Sequence, residues 1–193
     1  MGGAATSLMV QDPNRMTADV NLVIDVDQRQ ITADRLTNVL LTDYPSEFQG
    51  INQYGHTIPA YIYRRYNLRR PGTMFQLVEL EVFDAQSWPQ RPQYNLQTAT
   101  RTTMTINGQV VNFFSPEWIL REKILSQYQR QGTQKEPTDH WDIVNLIPRA
   151  ALGSPDLDFS QSQQLETALE NFVQKRPDLT QALKAKIRAP NVF

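Results

Sequence analysis

The chain has 193 residues, of which 40% are hydrophobic and 20% charged, and a formal net charge of −1. That is the balance of an ordinary globular protein with one good core or two small ones, and it supplies no field that would steer the chain onto a polyanion. With no cysteine and two histidines, His56 and His140, disulfides and thiolate metal sites are excluded and little is left for a zinc centre, so any metal must be held by oxygen. No apolar run approaches the ~20 residues of a membrane span, and residues 1–10 lack the basic start and apolar core of a signal peptide, so a cytoplasmic or nuclear address is expected.

In chain order, residues 3–10 read as the first turns of a helix, stopped by the turn-formers Gln11-Asp12-Pro13-Asn14. The segment Ala18–Val26 alternates, with Val20, Leu22 and Ile24 on one face and Asp19, Asn21, Val23 and Asp25 on the other, which predicts a strand with one chemically active face. A helix from about Thr32 to Thr42 follows, with Ile31, Leu36, Val39 and Leu40 as its apolar stripe. Residues 56–66 and 74–84 read as strands joined through Arg69-Arg70-Pro71-Gly72; in the second, Glu79 and Glu81 share a face and Val78, Leu80 and Val82 point the other way, toward a core. Asn107-Gly108 between Thr102–Ile106 and Gln109–Phe113 is a strong hairpin signal.

After Phe114 the texture turns helical. Ser115-Pro116 supplies a cap and a first-turn proline for a helix to about Gln131. Thr138 is placed to cap another over Asp139–Ile147, stopped near Pro148. Beyond the turn-rich stretch 153–158, two more helices are expected to start near Ser160 and Asp178, with Leu165, Leu169, Phe172, Val173, Leu179, Leu183 and Ile187 as their apolar positions. The chain thus divides near residue 115 into a mixed sheet-and-helix part, 1–114, and a helical part, 115–193.

Two constellations carry chemistry. The first is Gly2-Gly3 ahead of a small-residue helix, then Arg15, then Asp19 and Asn21 two apart on a strand, with Glu81 or Glu79 on another strand. Backbone N–H groups at a helix start behind glycines receive phosphates, and carboxylates at i and i+2 with a third acid nearby form an oxygen cage for magnesium. Asn21 offers only a neutral carbonyl oxygen where a second aspartate would bring charge, so metal binding is expected to be weakened, most severely for a second ion. The same residues also fit plain helix packing and a half-exposed strand face. The second is Lys123 and Arg130, two helical turns apart, with Asp139 and Asp142 on one face of the next helix. The pattern fits ion pairing among these four, or a Lys123 that reaches phosphates. The pairs Arg64-Arg65 and Arg69-Arg70 read as solvated turn and strand-end charges.

Together, the order Gly-Gly-x-Ala, Arg-x-Thr-x-Asp-x-(Asp), an acidic strand near residue 80, a Glu-Lys helix and a closing Asp-x-x-Asp-Ile helix resembles the nucleotidyltransferase superfold, particularly the AbiEii-type abortive-infection toxins, over about residues 1–147. The resemblance implies an α+β fold, a mixed sheet with flanking helices followed by a C-terminal helical domain. It implies a nucleoside triphosphate substrate, magnesium as cofactor, and transfer of a nucleoside monophosphate to a tRNA, other RNA or protein acceptor. Metal ligands would fall on Asp19, Asn21 and Glu81, chosen over Glu79; nucleotide contacts on Gly2, Gly3, Arg15 and Lys123; and catalytic roles on Asp19, Glu81, Lys123 and Asp142, with Asp139 beside it. The degenerate Asp-x-Asn makes a nucleotide- or protein-binding module without catalysis the alternative. The glycine pair stands at the start of the chain, so a fold beginning there lacks an upstream layer and is expected to expose apolar surface or to need a partner.

Overall fold

The computed structural model describes residues 2–12, 15, 17, 19–24, 31–53, 55–66, 73–84 and 99–193, with the backbone alone for 65, 66, 73 and 74. The expected turn at 69–72 lies outside the described residues. The chain opens with helix α1 (Gly2–Val10). Two compact units form: Gly3 with Arg15–Leu96, and Gly2 with Ala4–Asn14 and Gln97–Phe193.

The first unit is a four-stranded mixed sheet. Its strands are β1 (Asp19–Val23), β2 (Phe48–Gln53), β3 (His56–Tyr66) and β4 (Thr73–Phe83), in the order β1-β4-β3-β2. β1 runs parallel to β4, while β4, β3 and β2 are antiparallel neighbours. Helix α2 (Ala33–Asp43) begins at Thr32, whose side chain accepts from the Arg35 N–H at 3.2 Å. The carboxylate of Asp84, just past β4 and buried, accepts from the Ala33 N–H, putting negative charge at the helix start. Leu41 of α2 packs on Gly50 of β2, where a Cβ would stand 3.4 Å from the Leu41 Cδ1. The sequence gives little sign of β2: Phe-Gln-Gly-Ile-Asn-Gln is poor in β-formers. Its pairing with β3, from Phe48↔Tyr61 to Gln53↔His56, and the edge-on contact of the Phe48 and Tyr61 rings at 5.6 Å hold it as an edge strand.

The second unit begins with the hairpin β5 (Arg101–Ile106) and β6 (Gln109–Phe114). Asn107 and Gly108 have φ of 50° and 79°, the two left-handed residues a tight hairpin turn needs. Helix α3 (Pro116–Gln129) is capped by Ser115, which accepts from the Trp118 N–H at 3.2 Å. Helix α4 (Glu136–Leu146) starts earlier than the Thr138 cap implied, because Pro137 has the φ of a first helical turn and is accommodated there. A 3₁₀ turn, Ile147–Arg149, then absorbs Pro148. Helix α5 (Gln163–Lys175) is capped by Ser162, not Ser160, whose N–H and hydroxyl are both committed to Asp158 Oδ1 at 3.0 and 2.6 Å. The helix expected from Asp178 is a 3₁₀ turn, Pro177–Leu179, followed by the short α6 (Thr180–Lys184).

Trp118, Leu120, Ile124, Ile143, Leu146, Leu169, Phe172 and Leu183 form the buried core of this unit. Of the apolar positions expected in the last helices, Leu165, Leu169, Phe172, Leu183 and Ile187 are buried, and Val173 and Leu179 are half-buried. The end of α1 is closed from far along the chain: Arg149 donates to the carbonyls of Met9 at 3.1 Å and Val10 at 3.2 Å, placing a cation where the helix dipole is negative.

Candidate functional site

The chemistry of the first unit lies on one face of β1 and β4. The parallel register sets Asp19 beside Glu79 and Asn21 beside Glu81, and in-register neighbours on adjacent strands point to the same side of a sheet. Both glutamates therefore join Asp19 and Asn21 on one face. Glu79 has a further partner: its Oε2 accepts from the Gln53 amide at 3.2 Å. A carboxylate accepts only, so the Gln53 amide must present its NH₂ there. On the opposite face Val82 is buried, Val78 and Leu80 are half-buried, and Leu22 is 38% exposed.

Immediately before β1, the Thr17 hydroxyl donates to Asp19 Oδ1 at 2.8 Å. The Arg15 guanidinium and the Thr17 hydroxyl both press on Gly3, where a Cβ would lie 3.1 Å from Arg15 Nη2 and 2.9 Å from Thr17 Oγ1. Gly2 has a φ of 65°, which disfavours any residue with a side chain. In the sequence Thr17 appears as the middle residue of Arg-x-Thr-x-Asp with no role assigned to it, and Gln53 does not stand out. Thr17 was legible in principle: two residues before Asp19, it shares the side of an extended chain. Gln53 was not, because β2 itself was not.

The donor chemistry of this face suits a hard cation: carboxylates and an amide carbonyl, with no sulfur or imidazole. Among the described residues no group of three or more His, Cys, Asp or Glu is gathered as a metal site. Magnesium is commonly held by one or two carboxylates plus substrate phosphates, and Asp19, Glu79 and Glu81 are donors of that kind on this face. Position 21 adds an amide, a neutral oxygen donor, to the three carboxylates of this face.

The second unit carries a buried ion-pair network. Lys123 of α3 reaches Asp139 Oδ1 at 2.9 Å and Asp142 Oδ2 at 2.6 Å, both on α4. Arg130 stands 3.2 Å from Asp139 Oδ2. Lys123 is 7% exposed, Asp139 1% and Asp142 0%. The helical spacing of Lys123 with Arg130 and of Asp139 with Asp142 is what brings the four together. The ammonium is engaged with carboxylates.

A second polar cluster borders it. Glu136 accepts from Lys175 at 2.6 Å and from the Gly132 N–H at 2.7 Å, and these bonds hold its carboxyl below the ordinary range. The buried Gln127 gives its NH₂ to the carbonyls of Ile124 and Ala168, so its oxygen faces His140 Nε2 at 3.3 Å and the imidazole presents a proton there. Desolvation keeps His140 below the ordinary histidine range, against the opposing pull of Glu136. A histidine whose folded value is depressed contributes stability that is complete above its unfolded value and is lost as the pH falls through it. Thermal unfolding monitored between pH 8 and 5 is therefore expected to show a fall below about pH 6.5, absent in His140→Gln. An unchanged melting profile in that variant would contradict the assignment.

The comparisons with known proteins agree with this architecture. The sequence model of a family described as nucleotidyl transferase AbiEii toxin, Type IV TA system, matches residues 1–191. That span takes in the C-terminal helices, which carried no motif. Among solved structures, the crystal structure of an antigenic nucleotidyltransferase-like protein from Paracoccidioides brasiliensis is similar, with 67% sequence identity and a TM-score of 0.89, covering 100% of this chain and 86% of that one. No curated protein matches the chain. Among the described residues no helix is long and apolar enough to cross a membrane.

Proposed function

Because the chain belongs to the AbiEii nucleotidyltransferase toxin family, we propose that it binds a nucleoside triphosphate with magnesium and transfers the nucleoside monophosphate to an RNA or protein acceptor in the cytoplasm, at a rate reduced by Asn21. The observation that carries this reading is the register of β1 on β4, with Asp19 and Asn21 beside Glu79 and Glu81. Asp19 and Glu81 are assigned to the metal, with Asn21 as a neutral oxygen ligand. A bound magnesium supplies charge neutralisation on the attacking and leaving oxygens. Gly2 and Gly3 admit phosphates to the start of α1, and Arg15, beside Gly3, balances their charge. Lys123 and Asp142 carry the remaining roles that the family resemblance implies. The ion pairs of Lys123 favour a second reading of that residue, as a clamp between α3 and α4.

Titration calorimetry with nucleoside triphosphates, with and without magnesium, tests the proposal. Asn21→Asp restores the missing charge and is expected to tighten magnesium-dependent binding roughly tenfold or more, the scale on which groups around a metal change its affinity. A wild-type protein that binds nucleotide but labels no acceptor supports the non-catalytic module instead. No nucleotide binding in either protein, with or without magnesium, overturns the nucleotide assignment.

A further inference from the structure

We infer that Thr17 is the positioning residue of the Asp19 carboxylate, and that position 3 is glycine because Thr17 and Arg15 occupy the space a side chain would take. The inference rests on the reading of Asp19 as the metal-binding group. The Thr17 hydroxyl carries one proton, and it lies 2.8 Å from Asp19 Oδ1 and 3.2 Å from the Asp19 main-chain oxygen. The carboxylate is the closer and the charged acceptor, so it takes the stronger bond. That bond commits Oδ1 and fixes the side-chain torsion of Asp19, leaving Oδ2 as the oxygen turned to a cation. Gly3 guards the arrangement. A methyl there would stand 2.9 Å from Thr17 Oγ1 and 3.5 Å from Thr17 Cβ, closer to the hydroxyl than real Cβ atoms come, and the torsion that relieves the clash swings the hydroxyl away from Asp19. The second glycine of the pair thus has a task toward the strand as well as toward phosphate.

Thr17→Val keeps the shape and removes the donor; Thr17→Ser keeps the donor. Magnesium-dependent affinity for nucleoside triphosphate is expected to fall about tenfold in Thr17→Val, the scale of a lost hydrogen bond to a charged group, with the melting temperature close to wild type and with serine restoring binding. Gly3→Ala is expected to weaken binding at least as much as Thr17→Val does, and the double variant to be no weaker than Gly3→Ala alone, since both remove the same bond. Wild-type affinity in Thr17→Val, a serine variant as weak as valine, or additive losses in the double variant overturns the inference. If the wild-type protein binds no nucleotide, the nucleotide reading fails, and the coupling is read from unfolding alone. Gly3→Ala then costs less stability in a Thr17→Ala background than in wild type if the contact governs position 3, and the same in both if it does not.

Discussion

Lys123→Met is expected to lower stability by about 3–5 kcal/mol in urea denaturation, the cost of stranding buried charge by removing one partner of an ion pair. Methionine fills nearly the volume of the lysine stem, so little of the loss comes from packing. What is lost is the ammonium 2.6 Å from Asp142 and 2.9 Å from Asp139, carboxylates 0% and 1% exposed. Adding Asp142→Asn or Asp139→Asn to Lys123→Met removes one of the two buried carboxylates the ammonium faced and is expected to recover part of the loss. The recovered variant also separates the two readings of Lys123. If it folds as wild type but binds nucleoside triphosphate weakly, the ammonium has a nucleotide role beyond the clamp; if it binds normally, the clamp is its whole role. A loss below about 1 kcal/mol in Lys123→Met, the range of an exposed pair, contradicts the network.

Asp19→Ala is expected to cut incorporation of labelled nucleotide into acceptor on the order of a hundredfold or more, the scale of removing one group that stabilises charge in the transition state. Its effect on stability has the other sign or none. Asp19 sits in register beside Glu79, and like charges directly opposite on paired strands destabilise a sheet. The variant should melt at or slightly above the wild-type temperature while losing activity. That combination marks a carboxylate kept for chemistry, because a residue kept for the fold loses both together. Incorporation in Asp19→Ala equal to wild type would remove Asp19 from the mechanism.

The strands that carry the acids were legible because they obey a simple rule: Asp19-Val-Asn21-Leu and Glu79-Leu-Glu81-Val alternate, and alternation sets the face. Which strands lie side by side is not a local property. The pairing of β1 with β4 in parallel, across a helix and two intervening strands, comes from topology. It is that pairing which puts Glu79 as well as Glu81 on the face of Asp19. The Ser115 cap ahead of Pro116 was readable, whereas the Thr138 cap was not borne out because Pro137 is taken into the first turn of α4, and the helix expected near Ser160 is capped by Ser162. The partners of Lys123 were present as spacings, but spacing cannot tell an ammonium that meets carboxylates from one that meets phosphate. The carboxylate contacts depend on the packing of α3 on α4, which is not a local property of the sequence.

The closure of α1 by Arg149 bears on the order in which the chain is made. Nine residues are too few for a helix to persist alone in water, and the guanidinium that donates to the carbonyls at the end of this one follows Met9 by 140 residues. At the roughly 5–20 residues per second of protein synthesis, α1 is made about 7 to 28 seconds before its partner exists. The segment carrying the glycine pair therefore cannot be completed until the helical unit is made, and a product that stops short of Arg149 lacks the residue that closes α1.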